Sequence, residues 1–129
     1  MTTTQINNSS VGMGGNEFTD ELLTFGGAAT VLAGTILARD SVSLKLVPFV
    51  KGGSTNENGI PKAVLTYAVT AAGAGDVAVR ALASGEVRKE KLIIDADGDG
   101  SNVDAAVIDG LRNYGITPVA VEELNIYDN

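Results

Sequence analysis

From Thr30 onward the apolar residues come in short runs, each closed by turn-forming residues. The runs are TVLAGTILARD, LKLVPFV, KAVLTYAVTAA and DVAVRAL; the breaks are Asp40-Ser41, KGGSTNENGIP at 51–61 and GAGD at 73–76. Runs this short, rich in β-branched residues and bounded by Gly, Pro, Asn and Asp, read as strands rather than helices. The chain has no Trp, three Phe and three Tyr, so its core must be built from Val, Leu, Ile and Ala. Its 129 residues suffice for one domain. A domain of this size hides roughly two thirds of its unfolded surface, enough for a real core.

Within that pattern the runs differ. Pro48 has no N–H for a ladder, which predicts an edge or bulged strand for LKLVPFV. KAVLTYAVTAA is apolar on both faces and reads as one central strand, joined by a Gly-containing turn to DVAVRAL in a hairpin. Gly85 marks a break or bulge, and EVRKEKLII reads as a loop entering a strand. The best helix is 103–114, where Val103, Val107, Leu111 and Tyr114 form one stripe. Ser101 or Asn102 is placed to cap it, and Gly115 to stop it. After Pro118, VAVEELNI reads as a closing strand. The expected fold is mostly β, a small β-rich barrel-like domain with one short C-terminal helix.

Residues 1–30 have another character. Eight Ser/Thr, five Gly and three Asn fill more than half of the segment, and GMGG at 12–15 and FGG at 25–27 interrupt regular structure. Spaced along it are Ile6, Val11, Met13, Phe18, Leu22, Leu23 and Phe25. Two readings follow: a terminus packed loosely on its own domain, or an arm that buries those anchors on a partner. The chain then divides into a flexible N-terminal arm, 1–30, and a β-rich domain, 31–129.

Composition narrows the function classes. Without Cys there is neither a disulfide nor a thiolate site, and without His the commonest base near neutral pH is missing. No Ser or Thr stands with an evident base, so the expectation is not an enzyme. No segment has the pattern of a signal peptide or a membrane span, which predicts a soluble chain made in the cytosol. The formal charge of −7 comes entirely from residues 95–129, where eight carboxylates face Arg112 alone. Direct nucleic-acid binding needs clustered cations and is not expected.

The stretch DADGDGSN places Asp95, Asp97 and Asp99 at positions 1, 3 and 5 of a calcium loop, with Gly100 at 6. Position 12, which needs a bidentate Glu, is Ala106, and position 8, normally apolar, is Asn102. The plainer reading is an acidic loop leading into the helix. No cofactor is expected. Calcium on Asp95, Asp97 and Asp99 stays open as the alternative, a small calcium-binding module.

Four motifs then occur in a telling order: Gly34-Thr35-Ile36-Leu37, Lys45-Leu46-Val47-Pro48-Phe49, the Val-x-Val-Arg run from Val77 to Val87, and a short helix ending in Gly115-Ile116. Over about residues 30–120 the chain resembles the lambda-type head decoration, or cement, proteins of tailed phages. It departs in the segment before the helix, where some members carry Trp-Pro and this chain carries the acidic loop. The resemblance implies a β-tulip type of fold and a homotrimer on the outer surface of the expanded capsid. There it braces the shell against packaged DNA. It also implies an N-terminal segment that orders on the major capsid protein. Ile6, Val11, Met13, Phe18, Leu22 and Phe25 are then the expected capsid-binding residues, without nucleic-acid or membrane contact. Another virion part, tail or fibre, is the alternative within the same class.

Overall fold

The structure, a computed structural model, describes the backbone of residues 12–120 and the side chains of residues 15–120. Eight strands and one α-helix follow in order: β1 Gly12–Phe25, β2 Ala29–Val31, β3 Ile36–Arg39, β4 Leu46–Pro48, β5 Ala63–Leu65, β6 Val69–Ala71, β7 Gly75–Arg88, α1 Ala105–Asn113 and β8 Ile116–Val119. One 3-10 turn, Lys89–Lys91, follows β7. The fold is mostly β, as the short apolar runs require.

The main sheet runs β1-β4-β3-β5-β7-β8, and a further pairing of β1 with β7 closes the first five strands into a barrel. β7 makes closure possible by its length. One edge pairs antiparallel with β1 from Val87 back to Gly75, while the other meets β5 at Ala81–Leu82 and then β8 at Gly85–Arg88. β2 and β6 form a separate two-stranded sheet.

Residues 12–25, assigned by sequence to the flexible arm, are thus one of the two longest strands. Their glycines do not break it. The irregularity is absorbed as register shifts between Gly12 and Phe18, with Gly15 at φ +60°. Alternation explains the rest: Leu23 and Phe25 face inward and are buried, while Phe18 and Leu22 face outward.

KAVLTYAVTAA is likewise not one strand. The Thr66 amide and hydroxyl both donate to the Arg80 carbonyl, at 3.3 and 2.7 Å, and beyond it the chain leaves the barrel to pair with β2. Its apolar second half is explained by that small sheet, whose Val31, Val69 and Ala71 cover one mouth of the barrel interior.

The core has two layers, one on each side of the barrel wall. Inside lie Leu23, Phe25, Leu37, Leu46, Leu65, Val79 and Ala81. Outside, Ile36, Val64 and Leu82 project from the same strands against Phe49, Val87, Leu92, Ile94, Val107, Leu111 and Ile116. Successive strand residues therefore serve different layers, which is why β3 and β5 are apolar on both faces. Burying a Leu contributes about 1.5–3 kcal/mol, so the outer layer is the reason α1 and β8 stay on the wall.

The helix starts two residues later than its apolar stripe suggests. Asp104 caps it, its Oδ1 accepting from the Val107 amide at 3.1 Å. Val107, Ile108 and Leu111 form the buried face. Tyr114 is 41% exposed, with the Lys62 ammonium 3.8 Å from its ring centroid. The closing strand lies at Ile116–Val119, earlier than expected; the residues after Ala120 lie outside the described ones. No helix among the described residues is long and apolar enough to cross a membrane.

Candidate functional site

The outward face of the β1–β7 ribbon combines apolar exposure with fixed geometry. Register pairs Phe18 with Leu82, Asp20 with Arg80, Leu22 with Ala78 and Thr24 with Asp76. Phe18 and Leu22 are 39% and 42% exposed, two residues either side of Asp20. The Arg80 guanidinium lies 5.2 Å from the Phe18 ring centroid and 3.4 Å from the Asp20 carboxylate. It therefore covers one side of the ring and cancels the charge between the two apolar residues. Ala78 leaves Leu22 without a large neighbour across the ladder.

The ribbon is tied down from the neighbouring strands. Arg39 on β3 forks onto Glu21, Nη1 to Oε1 at 2.5 Å and Nη2 to Oε2 at 2.8 Å, while the Thr19 hydroxyl donates to Oε2 at 2.7 Å. These bonds hold the Glu21 carboxyl below its ordinary range, the Arg39 contact most strongly. At the other end Lys45 Nζ is 2.6 Å from Asp76, which also accepts from the Thr24 hydroxyl at 2.8 Å. Asp76 is lowered in consequence, first by Lys45 and then by Thr24.

One edge of β1 is also open among the described residues. Among the described residues, β4 meets it only at Leu23, opposite Leu46. The stretch Gly12–Leu22 thus has β7 on one side and no described strand on the other.

Of the six residues expected to contact a partner, Phe18 and Leu22 lie together on this exposed face. Phe25 does not join them: it is 5% exposed and packs inside the barrel, because strand alternation turns it inward with Leu23. Met13 lies in the first turn-free residues of β1, with its side chain outside the described ones, as are Ile6 and Val11 entirely. The sequence reading missed Val42 and Leu44, which are the most exposed large apolar residues described. The signal was there in Asp40-Ser41-Val42-Ser43, a turn composition that extends past Ser41.

The candidate calcium ligands Asp95, Asp97 and Asp99 lie on the acidic loop before α1. Among the described residues no group of three carboxylates is placed to hold a metal ion. The chain folds on itself between Ile94 and Asp99, whose backbones bridge, and Gly98 takes φ +71°. The carboxylates are then claimed separately. Asp97 accepts from the Asn102 amide at 2.9 Å, and Asp99 from the Ser101 N–H at 3.0 Å. Asp104 is shared between Val107 and Lys51 Nζ, the latter at 2.6 Å. Desolvation pushes the Asp95 carboxyl up. A half motif lacking its bidentate ligand leaves these side chains free to satisfy the loop.

The geometry offers a surface for another macromolecule: an apolar pair on a rigid ribbon, beside an open strand edge. No curated protein matches the chain. The family model of the bacteriophage lambda head decoration protein D matches residues 3–116, nearly the whole described region and β1 with it. The chain therefore belongs to the bacteriophage lambda head decoration protein D family, structural proteins of the phage virion rather than a class of enzymes.

Proposed function

We propose that the chain, made in the host cytoplasm, binds the outer surface of the expanded phage capsid as a homotrimer and stabilises it against internal DNA pressure. Its partner is the major capsid protein. Family membership supports decoration of the head, as against a tail or fibre. The observation that carries the contact is the exposure of Phe18 and Leu22 on a braced strand whose neighbouring edge is open. An apolar pair of this kind supplies anchors, and an open edge accepts main-chain pairing from a partner strand. Repetition on a lattice multiplies a modest contact by avidity.

The test is co-sedimentation with expanded capsids of wild type and of the variant carrying Phe18→Asp and Leu22→Asp. Wild type should pellet with the shells and the variant should remain in solution while keeping its circular dichroism spectrum. Equal pelleting of the two would remove this face from the contact. Failure of wild type to pellet would count against the decoration role for the shell tested.

A further inference from the structure

Of the asparagines among residues 15–120, Asn58 alone is followed by glycine. The side-chain amide of an asparagine is open to attack by the main-chain nitrogen of the next residue. A side chain on that residue hinders the approach, so an Asn-Gly pair meets the least obstruction. The other asparagines are guarded as well. Val103 N, after Asn102, donates to the Gly100 carbonyl at 3.1 Å, and Tyr114 N, after Asn113, to the Leu111 carbonyl at 3.0 Å. Asn16 accepts from the Glu86 amide at 3.1 Å, and Asn56 donates to Asp40 at 3.5 Å. Gly59 N, by contrast, donates to no group among the described residues.

The loop 51–61 holds the Asn58 amide while leaving that nitrogen free. Thr55 N donates to Asn58 Oδ1 at 3.2 Å. Asn58 N donates to the Thr55 carbonyl at 2.9 Å, closing a turn through Asn56 and Glu57, both at positive φ. A donor on Oδ1 draws electrons from Cγ and steadies the oxyanion that forms when Cγ is attacked. Gly53 lies against the same amide, where a side chain would run into Oδ1. Gly59 lines an open hollow of about 350 Å³ beside α1, so water reaches its nitrogen.

We propose that Asn58 is a site of spontaneous deamidation in the folded protein. The Gly59 nitrogen gives its proton to hydroxide and bonds to Asn58 Cγ. The Cγ–Nδ2 bond breaks and ammonia leaves, closing a succinimide ring. Water then opens the ring at either carbonyl: at Cγ it gives an aspartyl residue, at the main-chain carbon an isoaspartyl link. Water is consumed, ammonia is released and nothing is oxidised or reduced. Both products add a negative charge. The isoaspartyl product also lengthens the main chain where Gly59 packs so closely on the Gly53 carbonyl that a Cβ would not fit. It displaces the Asn58 carbonyl that accepts from Val50 N at 2.9 Å, and so releases the loop from the end of β4. The chemistry is independent of what the protein binds, and in a virion protein that is not renewed after assembly it accumulates with age.

The full chain is aged in mildly alkaline buffer at physiological temperature, folded and in parallel unfolded in urea. Peptide mass spectrometry then locates the acid, and enzymatic methylation measures isoaspartate. Bringing Gly59 N onto Cγ opens the bonds from Val50 N to Asn58 and from Ile60 N to Glu57. Two such bonds slow the folded chain at position 58 by roughly a hundredfold or less against the unfolded one. Position 58 should convert ahead of the other described asparagines, and Asn58→Ser should lose the acidic variant on ion exchange. In the isoaspartyl fraction the Val50 amide should exchange its hydrogen faster than in fresh protein. Freshly prepared Asn58→Asp, which adds the charge without the longer main chain, should keep that amide protected. Slower conversion at position 58 than this limit, or earlier conversion at another described asparagine, would overturn the site. Unchanged Val50 exchange in the isoaspartyl fraction would overturn the release of the loop.

Discussion

Gly34 sits so close beneath the carbonyl oxygen of Lys91 that a Cβ at position 34 would be driven into that oxygen. Gly34 also has φ +92°, where a side chain is strained whatever the space. Around this approach the Gly34 amide donates to Leu65 at 2.8 Å, and its carbonyl accepts from Ile93 at 2.9 Å. The Ile36 amide in turn donates to Ile93 at 2.9 Å. The Gly-Thr pair at the head of β3 is thus the point where the 89–94 segment is laced to the barrel. Thr35, fully buried beside it, satisfies its hydroxyl on the Leu32 carbonyl at 2.7 Å. Gly34→Ala should cost roughly 1–3 kcal/mol from the backbone alone, and more from the displaced Lys91. A chemical denaturation midpoint indistinguishable from wild type would refute this.

The two core layers predict separable losses. Leu37 fills the barrel interior and Leu111 the outer layer, both at 0% exposure. Leu37→Ala and Leu111→Ala should each destabilise by about 2–5 kcal/mol, the range for a truncated buried Leu. They share no cluster, so the double variant should approach the sum of the singles. Leu37→Ala with Leu65→Ala, in one layer, should deviate from additivity. Urea denaturation of the three single and two double variants decides it.

Acid should weaken the brace on the β1–β7 ribbon. The Glu21 carboxyl is held below its ordinary value of 4.5, chiefly by Arg39. A group lowered on folding stabilises fully above its unfolded pKa and loses that contribution as pH falls through the folded one. Denaturation followed from pH 7 to pH 3 should therefore show a loss beginning near the ordinary Glu range and continuing below it. Glu21→Gln should flatten this part of the profile. At neutral pH a double-mutant cycle with Arg39→Met should give a coupling of about 0.5–1 kcal/mol, near the upper end for a partly exposed pair because the contact is bidentate.

How much was legible follows residue by residue. Short strands, one helix and an apolar core could be read because alternation and helical spacing are local. The outcome for 12–25 could not be read, because what orders that stretch is fifty and more residues away: Asp76 opposite Thr24, Ala81 opposite Thr19, Glu86 opposite Gly14. Local glycine content argued for flexibility, and a long non-local ladder prevailed. The same non-locality hid the split of KAVLTYAVTAA between two sheets, since Val69 pairs with Val31 and Val64 with Leu82. Among the expected contact residues, Phe18 and Leu22 were legible as apolar, but only strand phase separates them from the buried Phe25.

Asp95 offers a test of the acidic loop with opposite signs for its two readings. Its carboxyl is raised by desolvation, so ionisation is penalised in the folded state. A raised carboxyl pKa means that stability is gained as pH falls through the folded value, the reverse of Glu21. Asp95→Asn should hold or slightly raise the melting temperature at pH 7, and calcium or chelator should leave wild type and variant unmoved. A calcium-dependent rise in wild type that Asp95→Asn abolishes would establish the calcium site.

Deleting the N-terminal segment should do more than remove a contact. Loss of residues 1–30 takes away β1, and with it Leu23 and Phe25 from the barrel interior. It also strips β1 from one edge of β7, opening the barrel along its longest seam and exposing Val79 and Ala81. A chain beginning at Val31 should therefore lose its cooperative thermal transition and aggregate, whereas Phe18→Asp with Leu22→Asp, both outward-facing, should keep a transition within about 1 kcal/mol of wild type. Circular dichroism melts of the two variants separate a segment that belongs to the fold from one that only visits it. A truncated chain that melts cooperatively near the wild-type temperature would mean that β1 adds little to the barrel, and that residues 12–25 are held in place by something other than their own domain.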